Sequence, residues 1–466
     1  MSLYERILAA AGEAKPPEPR DSAVGLVLRR GRDGLQVLVG LRSRRSRFLP
    51  GNWAFIGGGV DPGDRPEAPR HHARCVAREL QEETGLVVPP EQWREAGERI
   101  TPPIFPVRYR TRFLVAELPD GAELPARPPR PEEIEELRFV APSRLLEEWR
   151  RGEAAIPPVL PPLLRRLAEV ASDPPPLADL ARELAAINAE EQRAPRIEFV
   201  PGIWMSPLET RTLPPATHTN AWIAGGERFV VVDPGTDDHR ELQRLLEVIA
   251  KRRAEGARPH AVLLTHHHPD HVGGASPLAR ELGVPVAGHP ETLARAPLRE
   301  GISSEPLRDG ARIDLGGMTL VAVETPGHAR GHLVFHVPER GALIAGDLVS
   351  GLSTILVDPD EGGMAAYLAS LDRAAALAPR WVLPAHGPPL PGRALERTRR
   401  HRDKRGEMVL AAIGTEGATL DAIAERAYPD APDAPALLRR RQALAHLLQF
   451  EAEGRVTREG RLWRRA

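Results

Sequence analysis

The sequence predicts a multidomain chain of mixed α/β and α+β class, and three observations lead there. Its 466 residues exceed what a single hydrophobic core serves. Apolar runs of strand length alternate with helical patterns through two separate stretches, whereas the pattern beyond Gly392 is helical. Between the two stretches stands a proline-rich break: Pro157, Pro158, Pro161 and Pro162, then Pro174 to Pro176. The expected divisions are an N-terminal helix and tail over residues 1–20, a first domain over 21–150, a helical linker over 151–196, a second domain over 197–392 and a tail domain over 393–466.

Taking the elements in order, Ser2 to Gly12 reads as a short amphipathic helix without the charged start and apolar run of a signal peptide. Ala23 to Leu28 and Leu35 to Leu41 read as strands joined by a turn at Arg32-Asp33-Gly34. A glycine-rich stretch from Trp53 to Asp64 then leads towards a helix carrying Arg78-Glu79-Leu80-Gln81-Glu82-Glu83-Thr84-Gly85-Leu86. Glu79, Glu82 and Glu83 are spaced i, i+3 and i+4, so their carboxylates leave one face of the helix, and Gly85 supplies its stop. A solvated face would explain such glutamates standing alone. Behind a glycine-rich loop they read as oxygen ligands and candidate catalytic groups around a hard cation, Mg2+ or Mn2+.

This helix and the loop before it, with Gly58 and Asp64, resemble the Nudix hydrolase family. The resemblance implies an α/β/α sandwich, with Arg78 orienting a neighbouring carboxylate. It also implies magnesium-dependent cleavage of a nucleoside diphosphate derivative, or capture of such a small molecule without turnover. Two departures stand out: Asp64 replaces the family's glutamate, and Arg65 to Ala77 form a spacer longer than the family's. Insertions here resemble those of the coenzyme A diphosphatase branch. The acidic run Glu132, Glu133, Glu135 and Glu136 offers either a general base or a solvated edge.

Helical patterns at Leu163 to Ala171 and Leu177 to Ala189 make the proline-rich segment a structured linker. A new sheet is expected from about Ile197. Within it, Phe229 to Val232 ends in Asp233-Pro234-Gly235, and Ala261 to Leu264 runs into Thr265-His266-His267-His268-Pro269-Asp270-His271. Later apolar runs end in Thr325-Pro326-Gly327-His328, in Gly346-Asp347 and in Pro384-Ala385-His386-Gly387. Alternate positions make His266 and His268 neighbouring ligands, and Asp270 with His271 begins a second site, in the mixed nitrogen and oxygen set that borderline metals such as zinc accept.

This ordered set resembles the metallo-β-lactamase superfamily. The resemblance implies an αββα sandwich with two Zn2+ ions. His266, His268 and His328 would hold one ion, Asp270, His271 and His386 the other; Asp347 would bridge them and Asp233 would orient ligands. His332 reads as a pocket-lining or a structural histidine, while His267 and His289 carry no ligand role. Two cations sharing one water lower its pKa and present hydroxide at neutral pH, so the reaction class is hydrolysis, with Asp270 and Asp347 central to it. Asp347 stands where zinc β-lactamases of the main resistance class carry cysteine, and the single cysteine, Cys75, is far upstream, which argues against antibiotic breakdown. Single-stranded RNA phosphodiesters and thioesters both remain open as substrates, with RNA the expectation and a thioester the alternative.

Beyond Gly392, helical patterns at Leu395 to Ile413, Leu420 to Ala427 and Ala436 to Ala452 precede a hairpin around Glu459-Gly460. Three helices and a hairpin read as a winged helix. It resembles the tail of the metallo-β-lactamase branch that includes the β-lactamase-like protein 2 endoribonuclease, acting on single-stranded RNA. Residues 393–466 carry sixteen arginines and lysines against eleven acidic residues, a net of +5. Arg439, Arg440 and Arg441 are candidate phosphate contacts or solvated residues of a packing cap. A third reading makes the whole chain an RNA-binding scaffold.

The formal net charge of −1 gives no global attraction to nucleic acid or membrane. A single cysteine excludes an internal disulfide framework and suits a reducing cytoplasm. No run of membrane-spanning length occurs, so a cytoplasmic chain without a membrane partner is expected.

Overall fold

The computed structural model describes residues 6–8, 14–31, 34–46, 49–119 and 122–466. The expected turn at Arg32-Asp33 and most of the expected helix from Ser2 to Gly12 lie outside the described residues. The chain divides into two compact units, Pro17–Trp204 and Met205–Ala466 with Met1–Pro16.

In the Pro17–Trp204 unit, strand alternation builds three layers. The strands Arg20–Gly31 and Gly34–Arg42 pair antiparallel, and Arg20–Gly31 pairs parallel with Tyr109–Glu117. Successive side chains leave opposite faces of a strand. Ala23, Val27 and Leu38 therefore meet Ala73, Val76 and Leu80 of the helix His71–Thr84. Leu26, Leu28, Val37 and Val39 face the other way, against Leu145 and Trp149 of the helix Pro142–Arg150. Gly25 admits the first helix closely, since a Cβ there would lie 2.6 Å from Val76 and 2.7 Å from Trp93.

The proline-rich segment is part of this sandwich rather than a spacer outside it. Leu160, Leu163, Leu164 and Leu167 of the helix Leu160–Glu169, with Leu180 and Leu184 of Leu177–Arg193, join the same core as Leu26 and Val37. Their i, i+3, i+4, i+7 spacing makes one apolar stripe. Asn188 fixes the second helix to the sheet by donating to the Ala96 carbonyl at 2.7 Å. The prolines set where these helices start, and their leucine stripes decide where they pack.

The other unit has two sheets flanked by helices, an αββα sandwich. One sheet orders Ser304–Pro306, Val286–Gly288, Arg258–Leu264, Arg228–Val232, His218–Gly225 and Ile203–Glu209, the unit division falling inside this last strand. The other orders Arg312–Asp314, Thr319–Glu324, Leu333–Val337, Ala342–Gly346, Trp381–Pro384 and Leu390–Pro391. The runs Phe229–Val232, Val262–Leu264 and Ala342–Ala345 are fully or nearly fully buried, as strands covered on both faces require. The tail packs the helices Ala394–Ile413, Leu420–Arg426 and Ala436–Ala452 with a small sheet closed by Val456–Glu459 and Leu462–Arg465, over a core including Ile413, Ile423, Phe450 and Trp463. Among the described residues no helix is long and apolar enough to cross a membrane.

Candidate metal centre

Five of the seven expected ligands of the αββα unit sit at or just past the end of a strand, where backbone pairing fixes the chain while the side chain leaves the sheet; Asp270 and His271 lie on the short helix Pro269–Val272. His266 and His268 follow Arg258–Leu264, His328 follows Thr319–Glu324, Asp347 follows Ala342–Gly346 and His386 follows Trp381–Pro384. Three groups of ligand atoms converge: His266, His268 and His328; Asp270, His271 and His386; and His266, His271 and Asp347, with atoms within 4.8 Å in each group. The Asp347 carboxylate spans the two sides, lying 3.3 Å from His328 Nε2, 3.3 Å from His386 Nε2 and 3.6 Å from His271 Nε2.

The far side of the rings decides what the near side can do. His271 Nδ1 donates to Asp233 at 2.8 Å, His328 Nδ1 to the Leu356 carbonyl at 2.7 Å, and His386 Nδ1 to the His218 carbonyl at 3.0 Å. The Thr265 hydroxyl donates to Asp233 at 2.6 Å, so it accepts from His266 Nδ1 at 3.0 Å. All four rings thereby turn Nε2 inward. There, His266 Nε2 and His328 Nε2 stand 3.2 Å apart, lone pair against lone pair, and His268 Nδ1 lies 3.0 Å from each. Burial and the neighbouring imidazoles hold His266 and His268 well below the ordinary histidine range, so neither ring takes up a second proton.

On the other side, burial opposes a charge on His271 but is outweighed by Asp233, Asp347 and Asp270, which bring it up to about 10. Burial likewise works against the Asp347 carboxylate, which His386, His271 and His328 hold down to about 2. His271 Nε2 and Asp347 Oδ1 are buried without hydrogen-bond partners. Inward lone pairs, a spanning carboxylate and unpartnered buried atoms fit divalent cations of the zinc class.

Sequence reasoning pointed to this ligand set and to Asp233, but not to the Thr265 hydroxyl, the two accepting carbonyls or Asn220. Asn220 donates to the carbonyls of Pro384 at 3.0 Å and Gly387 at 2.8 Å, holding the turn that carries His386. Thr265 was legible as the residue opening the histidine run; a backbone acceptor leaves no sequence signal. His332 resolves as a positioning group: its Nε2 accepts from the Asp347 backbone N–H at 3.1 Å, so its Nδ1 donates to Thr325 at 2.8 Å. His289 caps the helix Pro290–Arg295, accepting from the Glu291 N–H at 3.2 Å.

The acidic helix of the other unit is arranged differently. Gly58 lacks a Cβ that would lie 2.3 Å from Glu79, so the loop passes directly over that carboxylate. Arg78 grips Asp64 with two bonds of 3.0 and 2.9 Å and reaches Glu79 at 2.8 Å and Glu82 at 3.1 Å. Arg130 also reaches Glu82 at 3.1 Å. Asp64, where the family carries glutamate, is thus a buried partner of Arg78. Burial and then the Glu79 charge raise Glu83 to about 8, and its Oε2 is buried without a hydrogen-bond partner. Burial also raises Glu79, against the pull of Arg78. A hard cation fits this edge. Glu132, Glu133, Glu135 and Glu136 are exposed, and Glu135 accepts from the Arg44 N–H at 2.9 Å, as a solvated edge would.

Of the three tail arginines, Arg440 is exposed and Arg439 and Arg441 are half-buried. Arg441 pairs with Asp358 and, at 2.6 Å, with Asp360; Arg439 donates to the carbonyls of Ala431 at 3.2 Å and Pro432 at 2.6 Å; Arg440 pairs with Asp421 at 3.3 Å. Of the expected phosphate contacts, Arg439 and Arg441 thus have internal acceptors within reach, while Arg440 keeps 52% of its side chain exposed.

The model of the metallo-beta-lactamase superfamily matches residues 214–386, that of the NUDIX domain residues 19–160, and that of the beta-lactamase associated winged helix domain residues 419–463. The chain is a Nudix, metallo-β-lactamase and winged-helix fusion. The metallo-β-lactamase part of this fusion is similar to lactamase-like protein adaB of Aspergillus niger, 31% identical over 209 residues, or 44% of this chain and 61% of that protein. It is also similar to the hydroxyacylglutathione hydrolase of Dechloromonas aromatica, 35% identical over 173 residues, or 36% of this chain and 58% of that protein. The fusion thus spans about three fifths of the length of these curated relatives, 61% and 58%. A solved beta-lactamase domain protein from Burkholderia ambifaria is 25% identical with a TM-score of 0.50, covering 58% of the fusion and 93% of that chain.

Proposed function

We propose that the fusion is a metal-dependent hydrolase whose central site holds two Zn2+ ions and whose preferred substrate is a thioester. His266, His268 and His328 would hold one ion and Asp270, His271 and His386 the other, with Asp347 between them. Bound there, the cations would lower the pKa of a shared water and polarise the scissile carbonyl. The chain's own groups do the rest: Thr265, Asp233 and the Leu356 and His218 carbonyls keep the ligand lone pairs inward, and His332 steadies the Asp347 backbone. The observation that carries this reading is the convergence of buried histidine and aspartate ligand atoms in three overlapping groups.

The thioester preference is supported by the internal engagement of Arg439 and Arg441 and by the likeness to hydroxyacylglutathione hydrolases. Single-stranded RNA is the second reading, favoured by the net +5 of residues 393–466. For the Nudix domain we propose that Glu79, Glu82 and Glu83 take Mg2+ or Mn2+ against the diphosphate of a nucleotide or coenzyme A derivative. The fusion is read as an intracellular, cytoplasmic enzyme. The test is a panel of acyl-coenzyme A thioesters, acylglutathione and single-stranded RNA, assayed with the zinc-loaded chain and with Asp347→Ala. Thioester turnover lost in the variant is expected; RNA cleavage lost in the variant would move the substrate to the second reading, and inertness towards every substrate would overturn the hydrolase.

A further inference from the structure

A third ligand cluster lies in the Nudix unit, outside the glutamate face. Asp21 stands at the start of the strand Arg20–Gly31, and His71 and His72 open the helix His71–Thr84. His72 Nε2 lies 3.0 Å from Asp21 Oδ1 and His71 Nε2 lies 3.6 Å from Asp21 Oδ2, with ligand atoms of all three residues within 4.8 Å of one another. The two rings are 3.9 Å apart at their centroids. These nitrogen-to-oxygen intervals match those of the central site, where Asp347 lies 3.3 to 3.6 Å from its histidines.

Hydrogen bonding explains only half of the cluster. His71 Nδ1 faces the Ala68 carbonyl at 3.3 Å, and a carbonyl can only accept, so Nδ1 carries the proton. The Nε2 of the neutral ring is then a lone pair directed at a carboxylate oxygen, acceptor against acceptor. Asp21 Oδ1 already accepts from the Ser22 N–H at 3.1 Å and faces His72. A positive charge between Oδ2 and His71 Nε2, either a second ring proton or a bound cation, would complete the arrangement. A ligating histidine that gives its other N–H to a backbone carbonyl is the arrangement a bound metal favours.

We propose that Asp21, His71 and His72 form a separate site for a transition metal of the zinc class, distinct from the central pair and from the Mg2+ edge. Two imidazoles and one carboxylate suit zinc and leave a fourth position to water. Both histidines come from the long spacer between Asp64 and Arg78, so this departure from the family pattern supplies the ligands. The site is reachable, with Asp21, His71 and His72 side chains 43%, 24% and 16% exposed. Metal held there would pin the start of the first strand to the first turn of the helix that carries Glu79, Glu82 and Glu83.

The test uses the full chain, stripped of metal, returned to excess Mg2+ and titrated with Zn2+ and, for its visible spectrum, Co2+. The parent is expected to bind one equivalent more than His71→Ala/His72→Ala, and the difference spectrum should carry the bands of a nitrogen-ligated Co2+. Asp21→Asn, which keeps size and fold, should weaken that equivalent by about tenfold or more. Identical stoichiometry in the parent and both variants would overturn the site and leave the cluster a proton-bridged hydrogen-bonded pair. Turnover at the central site plays no part in this readout, so the outcome is separate from that of the proposed hydrolase.

Discussion

The central cluster and the acidic helix solve the same problem, clustered ligands without a cation, in different ways. At the centre, four of the rings have fixed acceptors behind them, and the Asp347 carboxylate is met by histidines rather than by an arginine. On the Nudix helix, Arg78 lies among the carboxylates and supplies the charge itself. The first arrangement is organised for metal and strained without it; the second is stable alone, and metal must compete with an arginine.

Stripping the metals should separate the two most strongly. Chelation is expected to lower the melting temperature of the Met205–Ala466 unit by many degrees and leave the Nudix unit nearly unchanged, as monitored by hydrogen exchange in each. Equal losses in both would break the comparison. His266→Ala should remove central turnover by at least about a thousandfold while reducing the stability penalty of chelation, because one of the opposed lone pairs is gone. Asp233→Asn, which disturbs both His271 and Thr265, should cost about 10–100-fold in zinc affinity.

On the other side, Arg78→Gln strands the buried Asp64 carboxylate. Breaking a buried pair costs about 3–5 kcal/mol, and the partly exposed Arg78 places the expected loss near or below the lower end of that range. Urea denaturation of the Nudix unit would measure it, with added Mg2+ recovering part of the loss. Glu83 gives a pH signature. Its carboxyl is raised from 4.5 to about 8, so the folded unit binds a proton that the unfolded chain has lost. Without Mg2+, Glu83's contribution to stability is fully present below pH 4.5 and is lost as pH rises towards 8; Mg2+ affinity should rise over the same range and level off above it. Glu83→Gln should flatten both profiles.

The smallest effect concerns the tail. Arg441 holds Asp358, and Arg402 and Gln442 hold the Ile355 carbonyl, on either side of the Leu356 carbonyl that orients His328. Arg441→Ala should therefore weaken zinc at the His328 side by a few-fold and leave RNA affinity unchanged. A drop in RNA affinity with zinc binding intact would restore the phosphate-contact reading.

Much of this was legible in the chain. The ligand set could be read because each member ends an apolar run, and strand ends are where rigid ligands project. The layered first domain was legible from its period-two strands and the i, i+3, i+4 glutamates. The packing of Leu160–Glu169 and Leu177–Arg193 was not, because prolines mark where a helix begins without saying which sheet its leucine stripe will cover. The surroundings of the tail arginines were not legible for a related reason: consecutive positive charges look the same whether or not an acidic partner such as Asp358 stands beside them, and that partner is far away in sequence. The Leu356 and His218 carbonyls lay beyond sequence reasoning, since every residue has one.

The most direct test of the central claim is thioester turnover measured against zinc equivalents bound at the central cluster, in the parent and in Asp347→Ala, with His71→Ala/His72→Ala present in both. The account predicts turnover that rises with the second central equivalent in the parent and is absent from the variant at any zinc concentration. Full turnover in Asp347→Ala, or in the parent with its central cluster empty, would contradict it.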